Sequence, residues 1–175
     1  RMQTAAGWMS RYKWPVTFFV GVAFWNLVGA GVFGFLINPP IALYYMQGLN
    51  TTATHGHAAL FGVYGMLGLG LLLYCLRGLT DPHTWNERLL SISFWCLNIG
   101  LFMMTFLSLL PQGLWQTYVS FNDHYAAARS AELMHHPMME ALVWARVPGD
   151  IVFAIGVGAF ALFFLQAFKQ SPRTR

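Results

Sequence analysis

The chain has 175 residues, of which 57% are hydrophobic and 9% are charged, and its net charge is +4. Soluble domains carry about 25% charged residues, so this composition excludes an ordinary soluble protein and indicates a membrane protein. The positive charge does not indicate nucleic-acid binding, because the basic residues cluster at the ends of apolar segments.

Four apolar segments are long enough to cross a bilayer, which takes about 20 helical residues. They predict an all-α membrane protein with transmembrane helices over residues 14–36, 55–76, 89–110 and 148–168, and an outer loop over residues 111–147. Together they form one predicted membrane domain covering residues 1–175. Because the chain starts at Arg1 without an initiator Met, we expect it to be one piece of a longer polypeptide.

The basic residues predict the orientation of these helices. If the four helices alternate in direction, only Arg129 and Arg146 lie on one side. The others share the opposite side: Arg1, Arg11, Lys13, Arg77, Arg88, Lys169, Arg173 and Arg175. By the positive-inside rule, both termini and the loop over residues 77–88 are predicted to be cytoplasmic, and residues 38–54 and 111–147 to face outward.

Small and polar residues inside the helices are expected to serve helix packing: Gly62, Gly65, Gly68, Asn98, Thr105 and Ser108. The glycines form a smooth face that suits either a neighbouring helix or a flat cofactor. The polar residues of the third helix suit interhelical hydrogen bonds. Cys75 and Cys96 have no obvious disulfide partner and are interpreted as packing residues.

Two histidines one residue apart, His55 and His57, begin the second helix. Ionisable side chains are costly in a bilayer, so their presence there indicates a functional site. A helix turns about 100° per residue, so the two imidazoles point roughly 200° apart and cannot share one metal ion. The pair therefore predicts two partners, one on either side of the helix, such as two flat cofactors. Backbone carbonyls of residues 48–52 are expected to accept the second ring N–H of each histidine.

Other polar residues of the outer side have two interpretations each. Asp150 is either a first-turn acid favoured by the helix dipole or a proton acceptor near a cofactor. Arg146 is either an interfacial anchor or a partner for carboxylates, including Asp150. The adjacent His135 and His136 precede a proline in the outer segment and are interpreted as solvated rather than metal-binding.

Several stretches resemble the bacterial nitric oxide reductases of the haem-copper oxidase superfamily. They are residues 25–31 (WNLVGAG), 37–48 (INPPIALYYMQG), 54–65 (THGHAALFGVYG), 128–132 (ARSAE) and 146–150 (RVPGD). The resemblance covers nearly the whole chain and corresponds to the last four helices of the twelve-helix superfamily core. The chain therefore looks like the C-terminal part of the catalytic subunit of such an enzyme.

The resemblance implies that His55 is the axial ligand of high-spin haem b3 and His57 an axial ligand of low-spin haem b. It implies electron transfer from haem b to haem b3 and a non-haem iron, where two NO are reduced to N2O and water. The non-haem iron ligands lie on helices outside this chain, so the remaining helices of the same catalytic subunit are expected partners. A homodimer in the bacterial inner membrane is compatible with the resemblance.

The resemblance also suggests roles for two outer residues, namely Arg146 as a partner of haem propionates and Asp150 as a contact for the quinol head group. It favours the quinol-dependent type, with a cytochrome c-dependent reductase as the alternative. Two further alternatives stay open: an oxygen-reducing oxidase, and a non-enzymatic membrane transporter whose histidine pair binds a metal ion or protons.

Overall fold

A computed structural model of the chain describes residues 12–80 and 85–170, and four helical spans in this part are long and apolar enough to cross a membrane. The first three spans are α1 (Lys13–Ile37), α3 (Asn50–Leu79) and α4 (Glu87–Asn122). The fourth span, Pro137–Lys169, joins α6 (Pro137–Trp144) to α7 (Val147–Gln170). Two short helices, α2 (Pro40–Met46) and α5 (Ala131–Met134), lie in the connections. The predicted all-α fold with four spans is confirmed.

The described basic residues divide between the two ends of the bundle as the alternation of the spans requires. An ion pair of 3.0 Å between Lys13 Nζ and Glu87 Oε2 joins the starts of α1 and α4 at one end. Tyr125, at the other end, donates a hydrogen bond of 2.6 Å to the Gln47 carbonyl. Four residues of the orientation prediction lie outside the described residues: Arg1, Arg11, Arg173 and Arg175.

The third helix continues beyond its predicted end at residue 110, so the predicted outer loop over residues 111–147 is shorter than expected. α4 continues through Pro111 to Asn122, and α6 covers a further eight residues of the expected loop. Proline usually ends a helix because its ring clashes with the carbonyl four residues earlier. Pro111 instead follows a π-helical stretch, Met104–Leu109, whose wider turns relieve that clash. The outer connection between long helices is therefore limited to residues 123–136.

Close backbone contact between α1 and α3 depends on glycine. A Cβ atom at Gly29 would lie 2.7 Å from the carbonyl carbon and from the Cβ of Ala58, and one at Gly62 would lie 2.5 Å from the Trp25 ring. No larger residue fits at either position, so the two helices approach as small residues allow. Of the predicted smooth face, Gly62 packs against α1, whereas Gly68 faces open space within the described part of the chain.

Interhelical hydrogen bonds are present at two of the three positions predicted in α4. Trp25 Nε1 donates to Asn98 Oδ1 at 2.9 Å, and Ser108 Oγ donates to the Leu142 carbonyl at 2.8 Å. The Thr105 hydroxyl is buried and has no hydrogen-bond partner among the described residues. The two cysteines are free, and Cys75 is exposed rather than packed against another described element.

Candidate functional site

The histidine pair lies within the first three turns of α3, close to the end of the bundle that carries residues 123–136. α3 begins at Asn50, and both His55 and His57 are half-buried. Their neighbours Thr54 and Ala58 are buried against other helices. Both histidines therefore belong to a helix that packs against other helices, and neither lies in a connection between helices.

His55 is oriented by a backbone group of α1. Its Nδ1 atom lies 2.8 Å from the Gly29 carbonyl oxygen. Because a carbonyl only accepts hydrogen bonds, Nδ1 must carry the proton and donate it, which leaves a lone pair on Nε2. The imidazole also packs against α1 at Gly34, where a Cβ atom would lie 3.1 Å from His55 Cε1.

His57 is oriented by its own helix and faces the start of α7. Its Nδ1 atom donates to the Ala53 carbonyl at 2.9 Å, one turn earlier in α3. Its Nε2 atom lies 3.3 Å from Arg146 Nη2. Since a guanidinium group only donates, Nε2 of His57 accepts this hydrogen bond through its lone pair. Both histidines thus have the same tautomer, with the proton on Nδ1 and the lone pair on Nε2.

The carbonyl partners differ from those predicted. The expected acceptors were residues 48–52, but the observed ones are Gly29 and Ala53. Side chains of a helix lean toward its N-terminus, so the imidazole of His57 reaches the carbonyl four residues earlier. For His55 the acceptor belongs to another helix, and only the close approach of α1 at Gly29 brings it within reach.

Arg146 and Asp150 form an ion pair beside His57. Arg146 Nε lies 3.1 Å from Oδ1 and 3.2 Å from Oδ2 of Asp150, one turn later. Both side chains are partly exposed, at 37% and 46%. The predicted contact between the two residues is therefore present, and the structure adds a contact that the sequence did not reveal, from Arg146 to His57.

His135 and His136 are both exposed, as predicted for a solvated segment. His135 Nδ1 lies 3.5 Å from Glu140 Oε1, whereas His136 Nδ1 accepts a hydrogen bond from the Met138 backbone amide. The described residues contain no group of three or more His, Cys, Asp or Glu side chains that could hold a metal ion. From the described part of the chain, a metal ion at either histidine of α3 would therefore receive one ligand of this kind.

Each imidazole can offer its Nε2 lone pair to a metal ion, and at His57 the metal would take the place of the hydrogen bond from Arg146. Structural zinc sites take four protein ligands and catalytic ones three, which neither side of α3 supplies. A haem brings four nitrogen ligands of its own and needs the protein only at the axial positions. His55 and His57 could therefore each hold a haem through its iron.

The fold and the site together define a helical membrane protein with several spans, in which one helix carries two histidines on different sides. A family model described as "Cytochrome C and Quinol oxidase polypeptide I" matches residues 2–152. The chain belongs to this family. It is also similar to a nitric oxide reductase subunit of Stutzerimonas stutzeri, with 29% identity over 158 residues. The match covers 88% of this chain and 32% of that protein, so the chain spans about a third of the length of this relative.

Proposed function

We propose that this chain is the part of a nitric oxide reductase catalytic subunit that supplies one axial ligand to each of two haems. The observation that carries the proposal is the shared tautomer of His55 and His57, whose Nδ1 atoms donate to carbonyls and whose Nε2 lone pairs lie on opposite sides of α3, the one of His57 accepting from Arg146. Family membership supports an oxidoreductase, and the name of the similar protein directs the choice of substrate to NO. A non-enzymatic transporter has no support from either comparison.

In this proposal His55 binds haem b3 and His57 binds haem b. When bound, the haems and a non-haem iron held by helices outside this chain would pass two electrons from the donor to two NO, which with two protons form N2O and water. The protein's part is to hold each imidazole in one tautomer and one orientation. The Gly29 and Ala53 carbonyls do this, and a hydrogen bond to Nδ1 also raises the basicity of a ligating imidazole.

Arg146 has a second role in the proposal. A His57 that ligates iron uses its Nε2 lone pair and no longer accepts a hydrogen bond from Arg146. The guanidinium group is then available for the propionate carboxylates of a haem, for which its planar donors are well suited. Its bond to Asp150 lies on Nε and leaves the other donors free for this contact.

Asp150 is proposed to contact the head group of quinol and to accept a proton from it. It lies in the first turn of α7, half-exposed, and is linked to His57 through Arg146. A cytochrome c donor would instead leave Asp150 without a role in electron supply. Replacing Asp150 with Asn distinguishes these cases, because it should slow quinol-driven turnover and leave turnover with an artificial one-electron donor unchanged.

The test uses the complete enzyme purified with all its helices. A pyridine haemochrome assay should give two b-type haems per catalytic subunit, and NO consumption should yield one N2O for every two NO. Absence of b-type haem would contradict the proposal and favour a transporter. Fast O2 reduction with no NO reduction would favour an oxygen-reducing oxidase.

A further inference from the structure

The first turn of α3 is capped by residues of another helix. Leu49, at the position that precedes the helix, offers no side-chain acceptor, and its carbonyl accepts from the Thr52 N–H at 2.9 Å, so the Asn50 N–H needs a partner from another element. Gln116 of α4 supplies one, because its Oε1 atom accepts a hydrogen bond of 2.9 Å from the Asn50 backbone N–H. The side chain of Gln112, one turn earlier in α4, accepts a second bond of 2.9 Å from Asn50 Nδ2.

The two glutamines are among the few buried polar side chains of the described residues. Gln112 is 4% exposed and Gln116 is 5% exposed. A buried amide without partners is costly, whereas a satisfied one favours a single arrangement of the groups it joins. The oxygen and the nitrogen of each amide have hydrogen-bond partners, so the two glutamines fix where α3 begins relative to α4.

The Nε2 groups of the same two amides donate hydrogen bonds to residues outside α3. Gln112 Nε2 donates to Ser108 Oγ at 2.8 Å and to the Leu142 carbonyl of α6 at 3.3 Å. Gln116 Nε2 donates to the Ala128 carbonyl at 3.3 Å and lies 3.7 Å from Met134 Sδ. Each glutamine therefore joins the start of the histidine helix to the residues that cover the outer end of the bundle.

From these contacts we infer that Gln112 and Gln116 are positioning residues for both haem ligands. His55 and His57 follow Asn50 by five and seven residues, within about 11 Å along the helix axis at 1.5 Å per residue. A helix is stiff over two turns, so a shift or rotation at Asn50 moves both imidazoles together. The inference rests on the proposed haem ligation by this helix.

The experiment uses the complete enzyme with Gln116→Met and, separately, Gln112→Met. Methionine keeps the volume of glutamine and removes both polar groups, so packing is preserved. The readouts are the visible spectra, normalised to the amount of bound haem, and the reduction potentials of the two haems. In each variant both haems should change together, and haem retention should weaken by about tenfold, the lower end of the effect of losing a group that orients a metal ligand.

Two further variants separate positioning from a general loss of packing. Gln116→Glu keeps an acceptor oxygen at the helix N-terminus, where negative charge is favoured, but loses the donor to the Ala128 carbonyl, so its spectra should lie between those of the wild type and of Gln116→Met. Thr117→Val is the matched control, because among the described residues the Thr117 hydroxyl bonds within α4, to the Gly113 carbonyl at 2.7 Å. It should leave both haem spectra and both potentials unchanged.

The possible failures point to different causes. A wild-type enzyme without b-type haem would overturn the proposed function itself. A wild-type enzyme with two haems, combined with unchanged spectra and potentials in both methionine variants, would overturn only the positioning role. Loss of assembly in Gln116→Met together with wild-type spectra in Gln112→Met would overturn it as well, because both amides hold the same end of α3.

Discussion

His55 and His57 differ in what holds them, although both present the same ring nitrogen. His57 bonds to a carbonyl of its own helix, so its orientation follows from the local sequence. His55 bonds to Gly29 of α1, so its orientation depends on how two helices pack. The ligand assigned to haem b3 is thus the one more sensitive to changes outside α3.

This difference predicts the effect of Gly29→Ala. The added methyl would lie 2.7 Å from the Ala58 backbone, so α1 and α3 must separate and the Gly29 carbonyl must move away from His55. Overpacking of this kind typically costs about 1–3 kcal/mol of stability. We expect a lower melting temperature and a weakened iron–histidine vibration of the high-spin haem in resonance Raman spectra.

The matched control for Gly29→Ala is Gly68→Ala in α3. A methyl at Gly68 meets open space within the described residues, and alanine is the better helix former by about 1 kcal/mol. This variant should keep the wild-type vibration and lose no stability. An unchanged vibration in Gly29→Ala would show that the carbonyl does not orient the haem b3 ligand.

The position of Arg146 beside His57 predicts that its removal changes the reduction potential of one haem. A positive charge beside His57 favours the reduced form of the iron, so Arg146→Met should lower the potential of the low-spin haem. The expected size is on the order of 1 kcal/mol for a partly solvated charge near the site. A spectroelectrochemical titration measures it, with Arg129→Met as the control because Arg129 bonds to Tyr125 instead. A shift of the high-spin haem alone would contradict the assignment.

At the scale of the elements, the presence of four spans follows directly from hydropathy, but their ends do not. α1 and α7 begin and end close to the predicted residues, because charged or proline-containing segments bound them on both sides. α4 extends twelve residues past the predicted end at residue 110, to Asn122. The π-helical stretch that lets the helix pass Pro111 leaves no clear mark in a single sequence.

The candidate site shows the same division. Helical periodicity alone places His55 and His57 on opposite sides of α3, and in the structure His55 contacts α1 whereas His57 contacts Arg146 in the turn between α6 and α7. The identity of the Gly29 acceptor and the contact of Arg146 with His57 depend on residues 26 and 89 positions apart in the sequence. Such contacts are set by tertiary packing, which propensity and spacing do not encode.

The orientation of the elements in the membrane remains a prediction and can be measured by cysteine labelling. In a background with Cys75→Ser and Cys96→Ser, a membrane-impermeant maleimide added to intact cells should label Glu132→Cys in the outer segment. Glu87→Cys, at the opposite end, should be labelled only after the membrane is opened. Its ion pair with Lys13 is exposed, so losing it should cost little. The reverse labelling pattern would place the termini outside.

At the scale of the whole molecule, the four spans leave much of their surface uncovered. In the most apolar part of each span, only 28–39% of the residues are buried inside the described bundle. An apolar groove between α1 and α4, lined by Trp25, Phe94 and Phe102 among others, is also open. Lipid and further helices are the partners that such surfaces require, in agreement with a chain that spans about a third of its relative.

Whether one helix holds two different haems can be decided by the visible and EPR spectra of two single variants of the complete enzyme. His57→Ala should lose the low-spin signal and keep the high-spin signal. His55→Ala should keep the low-spin signal and change the high-spin one. The opposite pattern would exchange the two assignments, and loss of neither signal in either variant would contradict haem ligation by α3.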